Sequence, residues 1–135
     1  MMMRVSVVRR LVFSVLIGKG DMHLKNWSLL YPDGRTPILS PAHDFVATSP
    51  YIRGDKLALD FGGSQSLGEI TVDQVRRFTD TARMPMEPVW RIVRETVERT
   101  KAAWKTLDQK DLLPLQMRKA IGIQIQAVAV KTDTI

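Results

Sequence analysis

The side chains able to do chemistry fall in two short stretches, Asp21-Met22-His23-Leu24-Lys25-Asn26 and His43-Asp44-Phe45. The chain has no cysteine and two histidines, which excludes thiol nucleophiles and Cys-based metal sites and leaves carboxylates, amides, hydroxyls and lysines. Asp and Asn carry the hard oxygen ligands that Mg²⁺ prefers, and Lys carries a cation for phosphate oxygens. If the two stretches meet, they place two acids and an amide at one point, a set suited to chemistry on phosphates.

Transfer of a phosphoryl group to a hydroxyl needs a carboxylate that accepts the hydroxyl proton, plus an amide and a second carboxylate that hold Mg²⁺ on the phosphates. Protein kinases carry the first two in one loop as Asp-x-x-x-x-Asn and the third after a hairpin as Asp-Phe-Gly. Asp21 and Asn26 have that spacing, and Asp44-Phe45 follows with Val46 in place of the glycine and no arginine before Asp21. A competing reading gathers Asp21, His23, His43 and Asp44 around a transition metal, as in a metal-dependent phosphohydrolase. Against it, His43-Asp44 follows Ser40-Pro41 in a loop rather than standing on a helix.

The elements that must position these residues are legible from periodicity. Val5, Val8, Leu11, Val12, Val15 and Leu16 recur at helical spacing, and Gly18 and Gly20 end that helix just before Asp21. Trp27–Tyr31 and Thr36–Leu39 flank the turn Pro32-Asp33-Gly34-Arg35 and predict a β-hairpin that carries the chain back toward the first loop. Residues 40–70 read as ordered loop, with a short strand expected at Leu57–Leu59. Thr71 and Gln74 form a capping-box signature for a helix with Val72, Val75 and Phe78 on one face. Met84–Pro88 reads as a break. Val89, Trp90, Val93, Val97, Thr100 and Trp104 mark a long helix with both tryptophans in the core, and Pro114 opens a last helix through Met117, Ile121, Ile125 and Val128. The expected class is mainly α with a small β-hairpin.

The stretch Leu16 to Leu30, with Gly18, Asp21, His23, Lys25, Asn26 and Ser28, closely resembles the catalytic loop of the HipA family, the serine/threonine kinase toxins of bacterial toxin–antitoxin modules. Lys19 departs from the small or amide residue usual there, at a position where no chemistry is expected. Leu39, Pro41, Asp44 and Thr48 resemble the family's second motif, with His43 in place of tyrosine, and Lys56-Leu57-Ala58 with Gly62-Gly63 resembles its glycine-rich turn. The resemblance implies the C-terminal helical lobe of a protein-kinase-like fold over residues 1–135, with a catalytic loop at 18–28, a metal-binding loop at 41–46 and a helical region at 71–130. It implies ATP and Mg²⁺ as cofactors, with Asp21 as the catalytic base. His23, Lys25, Asn26 and Asp44 would bind ATP, and Asn26 and Asp44 the metal. The partners it implies are a HipB-like DNA-binding antitoxin and a protein substrate such as an aminoacyl-tRNA synthetase.

Each of these residues also has a plainer reading. Asp-x-x-x-x-Asn alone is a common capping or Asx-turn pattern; its joint occurrence with the hairpin and the second acid is what carries the kinase reading. His23 can simply bond a backbone carbonyl, Lys25 can be solvated, and Arg76, Arg77, Arg91, Arg94 and Arg99 can be the wet side of helices or an antitoxin surface. A kinase also needs a Gly-rich phosphate loop and a strand lysine ahead of the catalytic loop, and neither pattern occurs in these residues. The N-terminal lobe is therefore expected to be missing, with translation from Met1–Met3 starting inside a helix and apolar surface exposed where that lobe docks. The alternatives are a subunit of a split kinase or an inactive remnant that binds a partner.

Composition agrees with a single folded unit. The 135 residues are 44% hydrophobic and 25% charged, with 7 prolines and 8 glycines, a balance typical of soluble domains rather than disordered chains. The net charge of +6 is spread evenly, 8 basic against 5 acidic residues up to position 60 and 12 against 9 after it. No basic arm marks a nucleic-acid binder, so direct nucleic-acid contact is allowed but not required. Arg4, Arg9 and Arg10 precede the apolar run Leu11–Ile17, but Gly18-Lys19-Gly20-Asp21 follows where a signal peptide would carry its cleavage site. Ile121–Val130 falls short of the roughly 20 residues of a membrane span. The cytoplasm is the expected compartment, with no membrane partner.

Overall fold

The computed structural model describes residues 2–133; Met1, the first of the three methionines, and the last two residues lie outside them. Helix α1 (Met2–Ile17) buries Val8, Val12, Val15 and Leu16 along one stripe. Its end is built by Gly18 at φ +74. The Gly18 N–H donates to Val15 O at 3.1 Å and the Lys19 N–H to Ser14 O at 2.8 Å, the paired bonds of a Schellman motif, which favours glycine at this position. Gly18 is also hemmed in, since an added Cβ would lie 2.1 Å from Ser49 Oγ.

Strands β1 (Leu29–Leu30) and β2 (Ile38–Leu39) pair antiparallel, Leu29 opposite Leu39 and Leu30 opposite Ile38. They are shorter than the alternating pattern predicts because the turn takes over early: Gly34 N–H donates to Tyr31 O, and the Asp33 carboxylate accepts from the Arg35 and Thr36 N–H groups at 2.9 and 2.7 Å. The expected strand at Leu57–Leu59 does not form. Leu57 N–H donates to Gln65 O and Ala58 N–H to Gly20 O, so the segment is pinned at two unrelated points while the Leu57 side chain anchors in the core.

Helix α2 (Val72–Ala82) starts as predicted, with Thr71 Oγ1 accepting from Gln74 N–H and Gln74 Oε1 accepting from Thr71 N–H. Helix α3 (Met86–Thr106) begins earlier than the Met84–Pro88 break suggests. Pro88 sits in its first turn, where a missing N–H leaves no hydrogen bond unmade. A 3₁₀ turn at Asp108–Leu112 leads to α4 (Leu115–Asp133), with Pro114 just ahead of the helix.

Helix α1 packs against α3 and α4, and α2 against α3. The shared core joins Val12 and Val15 to Val93 and Val97 of α3 and Ile125 and Val128 of α4, with Met22, Leu57, Phe61 and Ile70 added from the loops. Trp90 and Trp104 are half-buried at its margin rather than inside it, as is common for a side chain of that size. Among the places where apolar surface stays open, two lie near the first loop. A cavity of about 410 Å³ between α1, α3 and α4 is lined by Phe13, Phe45, Trp104, Met117 and Ile121, and the hairpin exposes Leu29, Leu30, Tyr31 and Ile38. No helix among the described residues is long and apolar enough to cross a membrane.

Candidate active site

The Schellman motif turns the chain sharply out of α1, and the next residues are held by the loop that follows the hairpin. Gly18 O accepts from the Thr48 and Ser49 N–H groups at 3.0 and 2.9 Å, and Gly20 N–H donates to Thr48 Oγ1 at 2.8 Å. The Thr48 hydroxyl in turn donates to Asp55 Oδ2 at 2.6 Å. These bonds lace residues 18–20 to residues 48–55 and so fix the first loop against the second. The hairpin adds a further tie, Ser28 Oγ to Ser40 Oγ at 2.8 Å, while Arg10 on α1 donates to Ser40 O at 2.6 Å.

The two chemical stretches meet inside this frame. Asn26, at the end of a 3₁₀ turn over Leu24–Asn26, donates from Nδ2 to Asp44 Oδ2 at 2.8 Å. Asp44 is half-exposed and sits at φ 57, a left-handed conformation that costs a non-glycine residue about 1–2 kcal/mol, less for Asp. The cost is offset by the bonds around it. Lys19 Nζ donates to Asp44 O at 2.5 Å, and Phe45 packs tilted against Phe13 of α1 with ring centroids 5.4 Å apart.

Asp21 stands exposed at the mouth of the loop, its Oδ1 3.5 Å from His23 Nε2. Among the described residues two buried side-chain polar atoms lack partners, His23 Nδ1 and Asn26 Oδ1. The free amide oxygen of Asn26 beside the Asp44 carboxylate is a pair of hard oxygen donors of the kind Mg²⁺ takes, with phosphate oxygens and water to complete the shell. Lys25 is exposed on the 3₁₀ turn. His43 is exposed as well, its Nδ1 3.3 Å from Pro41 O. Among the described residues no three His, Asp or Glu side chains gather as a metal-holding group, so the phosphohydrolase reading finds no constellation. Sequence reasoning expected the loops of Asn26 and Asp44 to meet, as they do; it gave Lys19 and Thr48 no structural role and did not single out Asp55. Thr48 stood in the second motif, but nothing in a sequence marks Asp55 as its partner.

The family model of the HipA-like C-terminal domain matches residues 2–104. The chain belongs to this family. Two Sinorhizobium fredii proteins resemble it in sequence: "Putative kinase Y4dM", 46% identical over 125 residues, covering 92% of this chain and 30% of that protein, and "Putative kinase Y4mE", 30% identical over 93 residues, covering 68% and 22%. In structure it is similar to a chain from the Shewanella oneidensis MR-1 toxin–antitoxin complex of HipA, HipB and operator DNA, with a TM-score of 0.73 at 17% identity over 96% of this chain and 31% of that one. That likeness concerns the fold, and it bears out the mainly helical architecture with its hairpin. The HipA-like chain spans about a third or less of the length of these relatives.

Proposed function

We propose that these residues form the catalytic half of a HipA-like serine/threonine protein kinase. Asp21, exposed at the loop mouth, accepts the proton of a protein hydroxyl as it attacks. Asn26 and Asp44 would hold Mg²⁺, which when bound neutralises charge on the ATP phosphates. Lys25, exposed on the same turn, reaches phosphate oxygens from solvent. His23 orients Asp21 through the 3.5 Å contact and lines the phosphate site. The observation that carries the reading is the Asn26–Asp44 hydrogen bond, which joins the amide and the second acid of the kinase pattern across the hairpin.

The Gly-rich loop and strand lysine of a kinase are not among these residues, and the relatives are about three times as long. We assign those parts to an N-terminal lobe that docks on this one, in the same or a separate chain. The open apolar cavity behind Phe45 and Phe13 supports such a contact. A HipB-like antitoxin is the expected restraint, by analogy with the complex of the Shewanella neighbour, and the expected compartment is the cytoplasm.

The test is Mg²⁺-ATP binding and radiolabel transfer by the chain, with and without a supplied N-terminal lobe, using Asp21→Asn and Asp44→Asn as controls. Transfer only with the lobe, abolished by either substitution, is the expected result. Robust transfer by the chain alone would remove the need for a lobe, and transfer surviving both substitutions would sink the site.

A further inference from the structure

Lys19 is the only charged side chain among the described residues that is fully buried. Burying an ammonium is costly unless an anion meets it, and the group that meets it is Asp44. Lys19 Nζ donates to the Asp44 carbonyl at 2.5 Å and lies 3.8 Å from Asp44 Oδ2. That same carboxylate oxygen accepts from Asn26. The cation therefore stands at the acid of the site, on the protein side, with its side chain 3% exposed against 51% for Asp44.

The backbone leaves Lys19 little freedom to withdraw. Its N–H closes the end of α1 on Ser14 O, and its neighbour Gly18 is held by Thr48 and Ser49. The space around its side chain, bounded by Ser14, Met22 and Phe45 among others, is about 10 Å³, at the lower limit for a single water. Swinging the ammonium out would break its bond to Asp44 O.

We infer that Lys19 is a tethered cation of the metal carboxylate: it holds Asp44 in its left-handed conformation without a divalent ion and keeps the affinity of the Asn26–Asp44 pair for a free divalent ion low. The inference rests on the reading of Asp44 as a metal ligand. Two cations sharing one carboxylate repel each other, most strongly where one of them is out of water. A divalent ion then enters the site with nucleotide phosphates, whose negative charge outweighs the ammonium. Lys19 is thus a positioning residue that acts through Asp44 and touches no substrate.

The test is a Mn²⁺ titration of the 135-residue chain without nucleotide, following free Mn²⁺ by its EPR signal, for the wild type, Lys19→Met, Lys19→Arg, Asp44→Asn and the Lys19→Met/Asp44→Asn pair. Lys19→Met is expected to tighten Mn²⁺ binding by about tenfold or more, and Lys19→Arg to leave it near wild type. Adding Asp44→Asn is expected to cancel the gain. Lys19→Asn removes the charge but keeps a donor, and it replaces Lys19→Met if circular dichroism shows the methionine variant unfolded. Binding through Asp44 that stays within twofold of wild type in the neutral variants overturns the inference and leaves the site reading standing. Mn²⁺ binding that survives Asp44→Asn, or no binding in any form, overturns both.

Discussion

Thr48→Val isolates the lacing that holds the two loops together. Valine matches threonine in shape, so the change removes a hydroxyl without opening a cavity. The hydroxyl accepts from the Gly20 N–H at 2.8 Å and donates to Asp55 Oδ2 at 2.6 Å, while Thr48's own N–H bond to Gly18 O is untouched. Gly20 is buried, and an unpaired buried amide costs about 1–3 kcal/mol. A hydroxyl–carboxylate bond is worth about 1.5–3 kcal/mol when dry, but Asp55 is only partly buried and recovers water, so about 1 kcal/mol is the better figure. Thr48→Val should therefore lose about 2–4 kcal/mol, and Thr48→Ser, which keeps both bonds and drops one methyl, less than about 1 kcal/mol. Urea unfolding followed by tryptophan fluorescence reads this directly. With a slope near ~2 kcal/mol/M the valine variant should unfold about 1–2 M earlier. A midpoint within ~0.3 M of wild type, or equal damage from serine and valine, would refute the view that this hydroxyl ties the site together.

Further outcomes follow from single positions. Gly62→Ala should cost about 2–5 kcal/mol, because Gly62 sits at φ +58 and an added Cβ would lie 2.0 Å from the backbone oxygen of Gln74. Gly34→Ala, at φ +72 with open space around it, should cost only about 1–2 kcal/mol; similar thermal midpoints for the two would contradict the close-packing account. Thr71→Ala removes one half of the capping box and should lower stability by about 1 kcal/mol in the same melts, with loss of α2 amide protection first. The Asp33 carboxyl is held at about 2, against the usual 3.8, by the Thr36 and Arg35 N–H groups and the Thr36 hydroxyl. Because its folded pKa is depressed, its contribution to the turn is fully present above about pH 4 and disappears as pH falls through about 2. Carboxyl NMR should find that low midpoint, and a titration near 3.8 would show that the turn bonds are absent in solution.

The helices were legible because their stripes are long and their caps carry named residues: Val8 to Leu16 in α1, Thr71 with Gln74 in α2, Val89 to Val97 in α3. Departures came where local signals compete. Pro88 reads as a breaker from sequence yet lies harmlessly in a first helical turn, and Leu57–Leu59 alternates like a strand but is spent on two separate backbone bonds. The pairing of Asn26 with Asp44 was expected from spacing, since a hairpin between them returns the chain. The burial of Lys19 has no counterpart in the local pattern, because a lysine between two glycines carries no sign of its surroundings and only the helix end turns it inward.

Residue types and their spacing along the chain thus determined the fold class, the family and the three polar residues of the kinase pattern, because helix periodicity, turn chemistry and a loop motif are all local. Which groups actually bear on Asp44 was decided only by the tertiary structure. Burial of Lys19, the left-handed turn at Asp44 and the Thr48–Asp55 clamp arise where α1 ends against a loop some thirty residues later in sequence. Their energies depend on the exclusion of water, which no stretch of sequence specifies by itself.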